Sequence, residues 1–394
     1  MHIIYTCEEP PQTFSKSIFL AGPTARTTDV KSWRPEALRL LEAADYDGIV
    51  YVPEHRDGTL GDEGYDWETI PKWERDMMNM SDRILFYVPR NMTTLPALTT
   101  NVEFGLESHL GRMVFGNPKE AVRNRYLSFV AKGYKIPEFT TLEEAVNETV
   151  RLIGLGAERT GGEREVPLEL WDTLTFQLWY QAQKAVGNRL DGAKVEWIFK
   201  APSNRKIFYW ALYANIYVAS ENRNKLNERF VSRFDISTIL LYRGAKNLLD
   251  TQIVLAKEFR SSVRNGECFV YELPGGSSPK PDSGILDTAQ EELSEEVGLE
   301  IDKSRLRLHG SRQLMATISA HHANLLSAEL TEKELEWIRS QKGIVRGADL
   351  DNPTGERIYL EIQTLGEIIE KKLVDYSNVG MITSALLQID EKGE

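Results

Sequence analysis

Short apolar runs alternate with stretches of helical spacing over the first third of the chain. Ser17-Ile18-Phe19-Leu20-Ala21-Gly22-Pro23-Thr24 is an apolar run ending in Gly-Pro, the pattern of a buried strand that feeds a loop. Trp33 to Ala44 follows at helical spacing, with Pro35 placed where a first helical turn accepts it. Gly48 to Pro53 reads as a strand, Trp73 to Met80 as a helix and Arg83 to Val88 as a strand; Val102 to Leu110 and Arg112 to Phe115 continue the alternation. This order predicts an α/β class, a parallel sheet with helices on both faces. Ligands of such sheets bind beyond the carboxyl ends of the strands. That rule selects the loops holding Gly22, Pro23 and Thr24, then Pro53-Glu54-His55-Arg56, then Pro89-Arg90 through Thr99-Thr100-Asn101-Val102-Glu103-Phe104-Gly105. Glu103 is expected in a first helical turn that Thr99, Thr100 and Asn101 can cap. It is either a working carboxylate or one favoured there by the helix dipole.

The middle of the chain changes character. Gly154 to Glu165 holds four glycines and five charged residues and reads as a mobile linker. Leu168 to Ala185 carries Trp171, Leu174, Leu178 and Trp179 near helical spacing, which favours packing over a ligand box. Lys194 to Lys200 and Lys206 to Ala219 are rich in β-formers and read as strands. Ile236 to Tyr242 and Gln252 to Phe259 flank Gly244 to Asp250 as a hairpin would. Cys268 to Leu273 then enters a Pro-Gly-Gly turn, and a helix from Asp287 to Val297 is expected to stop at Gly298. On that helix Glu292, Glu295 and Glu296 stand at i, i+3 and i+4 and would share one face. Carboxylates that close are either a solvated surface or the ligands of a hard divalent cation, magnesium or manganese.

A length of 394 residues suggests two or three domains, expected at 1–150, 151–193 and 194–394. No apolar run approaches the roughly 20 residues that span a bilayer, and Met1 to Tyr5 lacks the features of a signal peptide. A cytoplasmic protein without membrane partners is the expectation. Cys7 and Cys268 are too few and too far apart for a disulfide framework or a cysteine zinc site. The net charge of −12 argues against nonspecific nucleic-acid binding. It leaves small anionic substrates open where arginines or a metal neutralise them.

Two resemblances sharpen this reading. Ser17 to Pro23, Ser32-Trp33-Arg34-Pro35, Trp73-Glu74, Ser81 to Phe86 and Thr99 to Gly105 together resemble the nucleoside 2-deoxyribosyltransferase-like family. The resemblance implies a flavodoxin-like or Rossmann-like domain in which Glu103 is the nucleophile toward a sugar anomeric carbon. It also implies that Glu74 assists proton transfer to the base, where aspartate is the more usual type, and that Asp82 fills an acidic position, catalytic or turn-forming. Gly22, Pro23, Thr24, Arg90, Thr100 and Asn101 would contact substrate.

Glu292-Leu293-Ser294-Glu295-Glu296-Val297-Gly298-Leu299 resembles the latter part of the Nudix box. Glu291 stands where that box has arginine, Asp282 or Ser283 where it has its first glutamate, and one extra residue follows Gly276. Lys257-Glu258-Phe259-Arg260 and Ala320 to Leu330 are similar to segments of the ADP-ribose pyrophosphatase-like branch, which implies an α/β/α Nudix fold preceded by a β-rich segment. Glu292, Glu295 and Glu296 would hold magnesium or manganese, Glu295 would also serve catalysis, and Arg260 would shape the substrate site. The combined expectation is a bifunctional nucleotide-processing enzyme, associating as a homo-oligomer. The alternatives are a Nudix hydrolase with a nucleotide-binding N-terminal domain, or a nonenzymatic nucleotide sensor.

Overall fold

Ser17–Ala21 is buried at every position, as a strand covered on both faces must be. In the computed structural model, which describes residues 1–25, 29–56, 68–201, 206–277, 284–347 and 355–390, the chain divides into two compact units, Met1–Val231 and Ser232–Glu394.

The first unit runs β1 (His2–Tyr5), β2 (Thr13–Phe14), β3 (Ser17–Ala21), α1 (Arg34–Ala43), β4 (Ile49–Val52), α2 (Thr69–Met80), β5 (Arg83–Tyr87), α3 (Leu98–Glu107), β6 (Met113–Gly116), α4 (Arg125–Tyr134), β7 (Glu138–Phe139) and α5 (Leu142–Ile153). Six of these strands form one sheet in the order β1-β4-β3-β5-β6-β7, parallel throughout. Trp33, Ala37 and Leu41 at α1 and Ala145 and Val146 of α5 pack with Val50 and Leu85 on one face. Trp73 and Met77 of α2, Phe104 of α3 and Leu127 and Ala131 of α4 pack with Phe19, Phe86 and Phe115 on the other. Chain order reverses about β3, whose neighbours are β4 on one side and β5 on the other. A crevice therefore opens at the carboxyl ends of these strands.

The unit continues through β8 (Arg159–Thr160), α6 (Leu168–Trp171), α7 (Leu174–Ala185), β9 (Arg189–Lys200), β10 (Ile207–Val218) and β11 (Arg223–Arg233). Three expectations are corrected here. The stretch read as a mobile linker is packed: Arg159, Gly162, Glu163 and Arg164 are buried. A Cβ at Gly162 would lie 2.2 Å from the Gly192 amide nitrogen, so this glycine permits close approach rather than motion. The sheet β11-β10-β9 packs its Trp210, Leu212 and Ala214 against Phe176 and Tyr180 of α7, which places it with the first unit rather than with residues 235–394. The single helix expected over Leu168 to Ala185 is two, because Thr173 adopts an extended backbone and caps α7 by accepting from the Phe176 N–H.

The second unit holds β12 (Ile236–Arg243), β13 (Gln252–Phe259), β14 (Phe269–Glu272), β15 (Gly275–Gly276), α8 (Ile285–Glu292), β16 (Arg307–Gln313), β17 (His322–Glu329), α9 (Glu332–Ser340), β18 (Ile358–Thr364), α10 (Leu365–Glu370) and α11 (Tyr376–Asp390). Its mixed sheet pairs β12 with β17 in parallel and its other neighbours antiparallel. Ala289 and Leu293 with Leu335 and Ile338 of α9 cover one face. Leu365 and Ile368 of α10 and Ile382, Ala385 and Leu386 of α11 cover the other. The result is a three-layer α/β/α sandwich.

The expected hairpin of β12 and β13 is paired only at Tyr242↔Ile253 and Arg243↔Gln252. Beyond that point β14 pairs with β13 and β15 with β12. Gly275 makes this insertion possible: at φ +154, a Cβ there would lie 2.2 Å from the Ser237 carbonyl oxygen.

Candidate functional site

At the carboxyl ends of β3 and β4 the chain is tied by one arginine. Arg34 is 1% exposed. Its Nε donates to the Leu20 carbonyl at 3.0 Å, its Nη2 to the Gly22 carbonyl at 2.8 Å, and its Nη1 to Thr24 Oγ1 at 3.2 Å and Glu54 Oε1 at 2.7 Å. Ser32 Oγ donates to the same Glu54 oxygen at 2.7 Å. Gly22 and Thr24 are thereby held at the crevice mouth, and Pro23 is buried beside them. Arg34 and Glu54 belong to the site although only their neighbours were singled out as contacts; a charged residue inside an apolar helix start was the available signal.

Glu74 and Glu103 come from α2 and α3, neighbours on one face of the sheet. Burial and then the negative charge of Glu103 push the Glu74 carboxyl up to about 7, against an opposing pull from Arg34. Burial also raises Glu103, while Arg34 and Arg75 draw it down and Glu107 raises it. Both cations therefore act on Glu103, and the proton rests more readily on Glu74. One turn beyond Glu103, Glu107 is 1% exposed and paired with Arg112 at 2.6 Å and Arg75 at 3.1 Å. This brace went unread in the sequence, where two glutamates four apart on α3 already called for a cation between them.

The helix carrying Glu103 differs from expectation. α3 starts at Leu98 after Ala97, which is left-handed at φ 55 and ψ 41, so Glu103 lies in its second turn. No side chain caps the helix. Thr100 is buried, and Asn101, rather than capping, accepts a hydrogen bond from Arg90 Nη2.

Asp82 is not at the crevice. It precedes β5 at the amino end of the strand and is 1% exposed. Oδ1 accepts from Arg159 Nη1 at 2.7 Å and the Leu168 N–H at 2.8 Å, while Oδ2 accepts from Arg159 Nη2 at 2.6 Å and the Ser17 N–H at 2.8 Å. With both oxygens committed at the end opposite the ligand side, Asp82 is a structural brace and its catalytic expectation is withdrawn.

In the second unit α8 ends at Glu292, and residues 293–297 form a π turn closed by the Gly298 N–H donating to the Leu293 carbonyl at 2.9 Å. The wider turn rotates the following residues away from α-helical positions, and Glu295 stays close enough to Glu292 to raise it. Glu295 is exposed, whereas Glu292 and Glu296 are half-buried at the Gly-Gly turn. Glu296 accepts from the Gly275 N–H at 2.9 Å, and a Cβ on Gly276 would meet Glu292 Oε1 at 2.4 Å. Burial, then Glu295 and Glu356, push Glu292 up to about 7. Burial pushes Glu296 up to about 8, opposed by the Gly275 N–H and reinforced by Glu292, Glu272 and Glu356. Glu272 and Glu356, both outside the box, were not foreseen as members. Arg260 pairs with Glu258 at 2.8 Å and Glu272 at 3.7 Å, at the border of the same carboxylates. Asp282 and Ser283 lie outside the described residues.

Among the described residues no group of three histidine, cysteine, aspartate or glutamate side chains stands close enough to hold a metal ion. The chemistry of the Glu292 and Glu296 pair, oxygen donors that resist ionising together, nevertheless suits a hard cation.

The first unit thus has the architecture of a doubly wound α/β domain with paired carboxylates at its ligand end. Residues 15–121 match the family model described as nucleoside 2-deoxyribosyltransferase like. The match supports an enzyme that processes a nucleoside and takes it as a small-molecule substrate. It stops short of the second unit. No match to the chain was found among curated proteins. No helix among the described residues is long and apolar enough to cross a membrane.

Proposed function

We propose that the first unit breaks an N-glycosidic bond, with Glu103 as nucleophile and Glu74 as acid. The observation that carries this reading is the asymmetry of the pair: Arg34 draws on both carboxyls but Arg75 on Glu103 alone, while burial and the charge of Glu103 keep the proton on Glu74 up to about 7. A carboxylate oxygen of Glu103 bonds to the anomeric carbon as the bond to the base breaks. The electron pair of that bond goes to the base nitrogen, which the Glu74 proton neutralises. Water or a second base then takes the anomeric carbon and frees Glu103. Transfer of deoxyribose and hydrolysis differ only in this last acceptor. Incubation with nucleosides and their 5′-phosphates, read by mass spectrometry for free base, tests the reading. Base release by wild type and its loss in Glu103→Ala support it; equal release by both contradicts it.

We further propose that the second unit is a Nudix-like hydrolase of a nucleoside diphosphate derivative, which makes the chain bifunctional. The α/β/α sandwich and the glutamates turned onto the Gly-Gly turn support that reading. Glu292 and Glu296, with Glu295 beside them, would hold magnesium or manganese, which supplies charge stabilisation on the phosphates when bound. The chain's own groups bury the two carboxylates, keep Gly275 and Gly276 against them and set Arg260 at the border. The exposure of Glu295 favours a second reading, in which this unit binds a nucleotide without turning it over. Cleavage of the diphosphate to a nucleoside monophosphate that requires added magnesium separates the two.

A further inference from the structure

β18 (Ile358–Thr364) is an edge of the second unit's sheet. It pairs with β13 along one side, and on the other side, among the described residues, only Arg346 meets it, through a bridge to Ile358. That bridge fixes which way the backbone points. The Arg346 N–H donates to the Ile358 carbonyl and the Ile358 N–H to the Arg346 carbonyl, both at 2.9 Å, so Ile358 turns its backbone groups outward. At the far end the Leu365 N–H donates inward to the Thr251 carbonyl at 3.0 Å. Residues of an antiparallel pair alternate between facing the partner and facing away, so Leu360 and Ile362 also face outward. Among the described residues their two N–H and two C=O groups bond to nothing. Leu360 is 3% exposed, and backbone groups of a residue that buried are seldom left unmatched.

A cavity of about 340 Å³ runs along these groups. Ile338 of α9, Leu360 and Ile362 belong to the core on one face of the sheet, and Lys342, two residues past α9, extends that side of the cavity wall. Glu361 alternates to the opposite face and lines the cavity there. Lys342 is exposed and Glu361 half-buried, and among the described residues neither forms an ion pair. The other charges on the wall, Arg339 and Glu367, are already engaged by Glu332 and Lys371. The edge therefore carries an open cation beside an apolar patch on one face of the strand and an open anion on the other.

We propose that the open edge of β18 takes up a short extended peptide as an added strand, one with a carboxylate side chain next to a cationic one. An extended backbone repeats its N–H and C=O groups at the spacing of Leu360 and Ile362, roughly 6.6 Å for two residues, and main-chain pairing with an exposed edge is a recurring mode of peptide capture. Consecutive side chains of an added strand point to opposite faces. A carboxylate placed against Lys342 thus puts its neighbour beside Glu361, and the next residue on the Lys342 side meets the apolar patch of Ile338 and Ile362. The Arg346 bridge closes one end of the edge at Ile358, and the Thr364 N–H, held by Glu367 at 3.0 Å, closes the other. The added strand is limited to a few residues, which favours a peptide segment over edge-to-edge pairing of two copies. This inference is independent of the chemistry proposed for either site.

The test is fluorescence anisotropy of the labelled, blocked pentapeptide Val-Thr-Glu-Lys-Val with the full chain, alongside amide exchange read by mass spectrometry. The peptide should bind, and exchange at Leu360 and Ile362 should slow when it does. Lys342→Glu should weaken that peptide about 3- to 10-fold, the scale of a surface ion pair, and favour the swapped Val-Thr-Lys-Glu-Val instead. Methylating the peptide's amide nitrogens should abolish binding, because it removes the donors an added strand needs. No binding at millimolar peptide, equal binding of the methylated form, or an unchanged preference in Lys342→Glu would overturn the proposal. Slowed exchange at the same amides on raising protein concentration alone would also overturn it, in favour of a second copy on this edge.

Discussion

Both units half-bury a pair of glutamates whose carboxyls burial raises above their ordinary range, yet the pairs are compensated differently. Beside Glu103 stand Arg34 and Arg75, and the Glu107 brace beneath it is closed by two arginines. Around Glu296 the reinforcing charges are Glu292, Glu272 and Glu356, and the opposing group is a backbone N–H. A carboxylate pair with its own cations can divide one proton and work as nucleophile and acid. Arg233 offsets part of the charge at Glu292, but more carboxylates than cations act on the second pair, which suits a cation from solution. On the proposed reading, the same residue type would serve metal-free chemistry in one unit and metal-linked chemistry in the other.

Removing divalent metal should break this comparison most sharply. With excess chelator, diphosphate cleavage by the second unit is expected to vanish while base release by the first is unchanged; loss of both, or of neither, would erase the distinction. Next in size is Glu74→Gln, expected to slow base release by about 10²- to 10⁴-fold, the usual worth of acid assistance. In wild type the rate should fall as pH rises through about 7, where Glu74 gives up its proton, and a pH profile of the variant should lose that limb.

Stability offers two smaller effects. Asp82→Ala leaves Arg159 as an unpaired buried cation and should cost about 3 to 5 kcal/mol, read as a lowered midpoint in urea. A catalytic role for Asp82 would instead lower the rate in a protein of normal stability. The smallest effect concerns pH. Glu292 and Glu296 hold protons in the folded state up to about 7 and 8, above the ordinary carboxylate range. Without metal, the stability that these two groups contribute should therefore be fully present below the ordinary carboxylate pKa and be lost as pH rises through about 8. Magnesium should reverse part of that loss, and Glu296→Gln should flatten the slope; a slope unchanged by the variant would place the proton elsewhere.

The alternation of apolar runs was enough to locate the parallel sheet and its ligand end, because a strand buried on both faces leaves a continuous apolar signature. Spacing alone left Glu103 between a working carboxylate and one favoured by the helix dipole, and Glu74 was reached only through the family resemblance. What escaped the sequence are partnerships across distance and departures from regular geometry. Asp82 meets Arg159 from 77 positions away, and no local pattern announces that pair. The glycines read as a mobile linker include Gly162, which is needed because another backbone crosses it. The π turn after Glu292 defeats any argument from α-helical spacing, since one added residue per turn moves Glu295 outward while Glu296 meets Gly275.

The most direct measurement is covalent trapping at the first site. A 2-fluoro-2-deoxynucleoside, supplied as the nucleoside and as its 5′-phosphate, slows release of the glycosyl intermediate and leaves the sugar on its nucleophile. Peptide mass spectrometry should place that adduct on Glu103 in wild type and find none in Glu103→Ala. An adduct on another residue, or wild-type rates of base release in Glu103→Ala, would contradict the account.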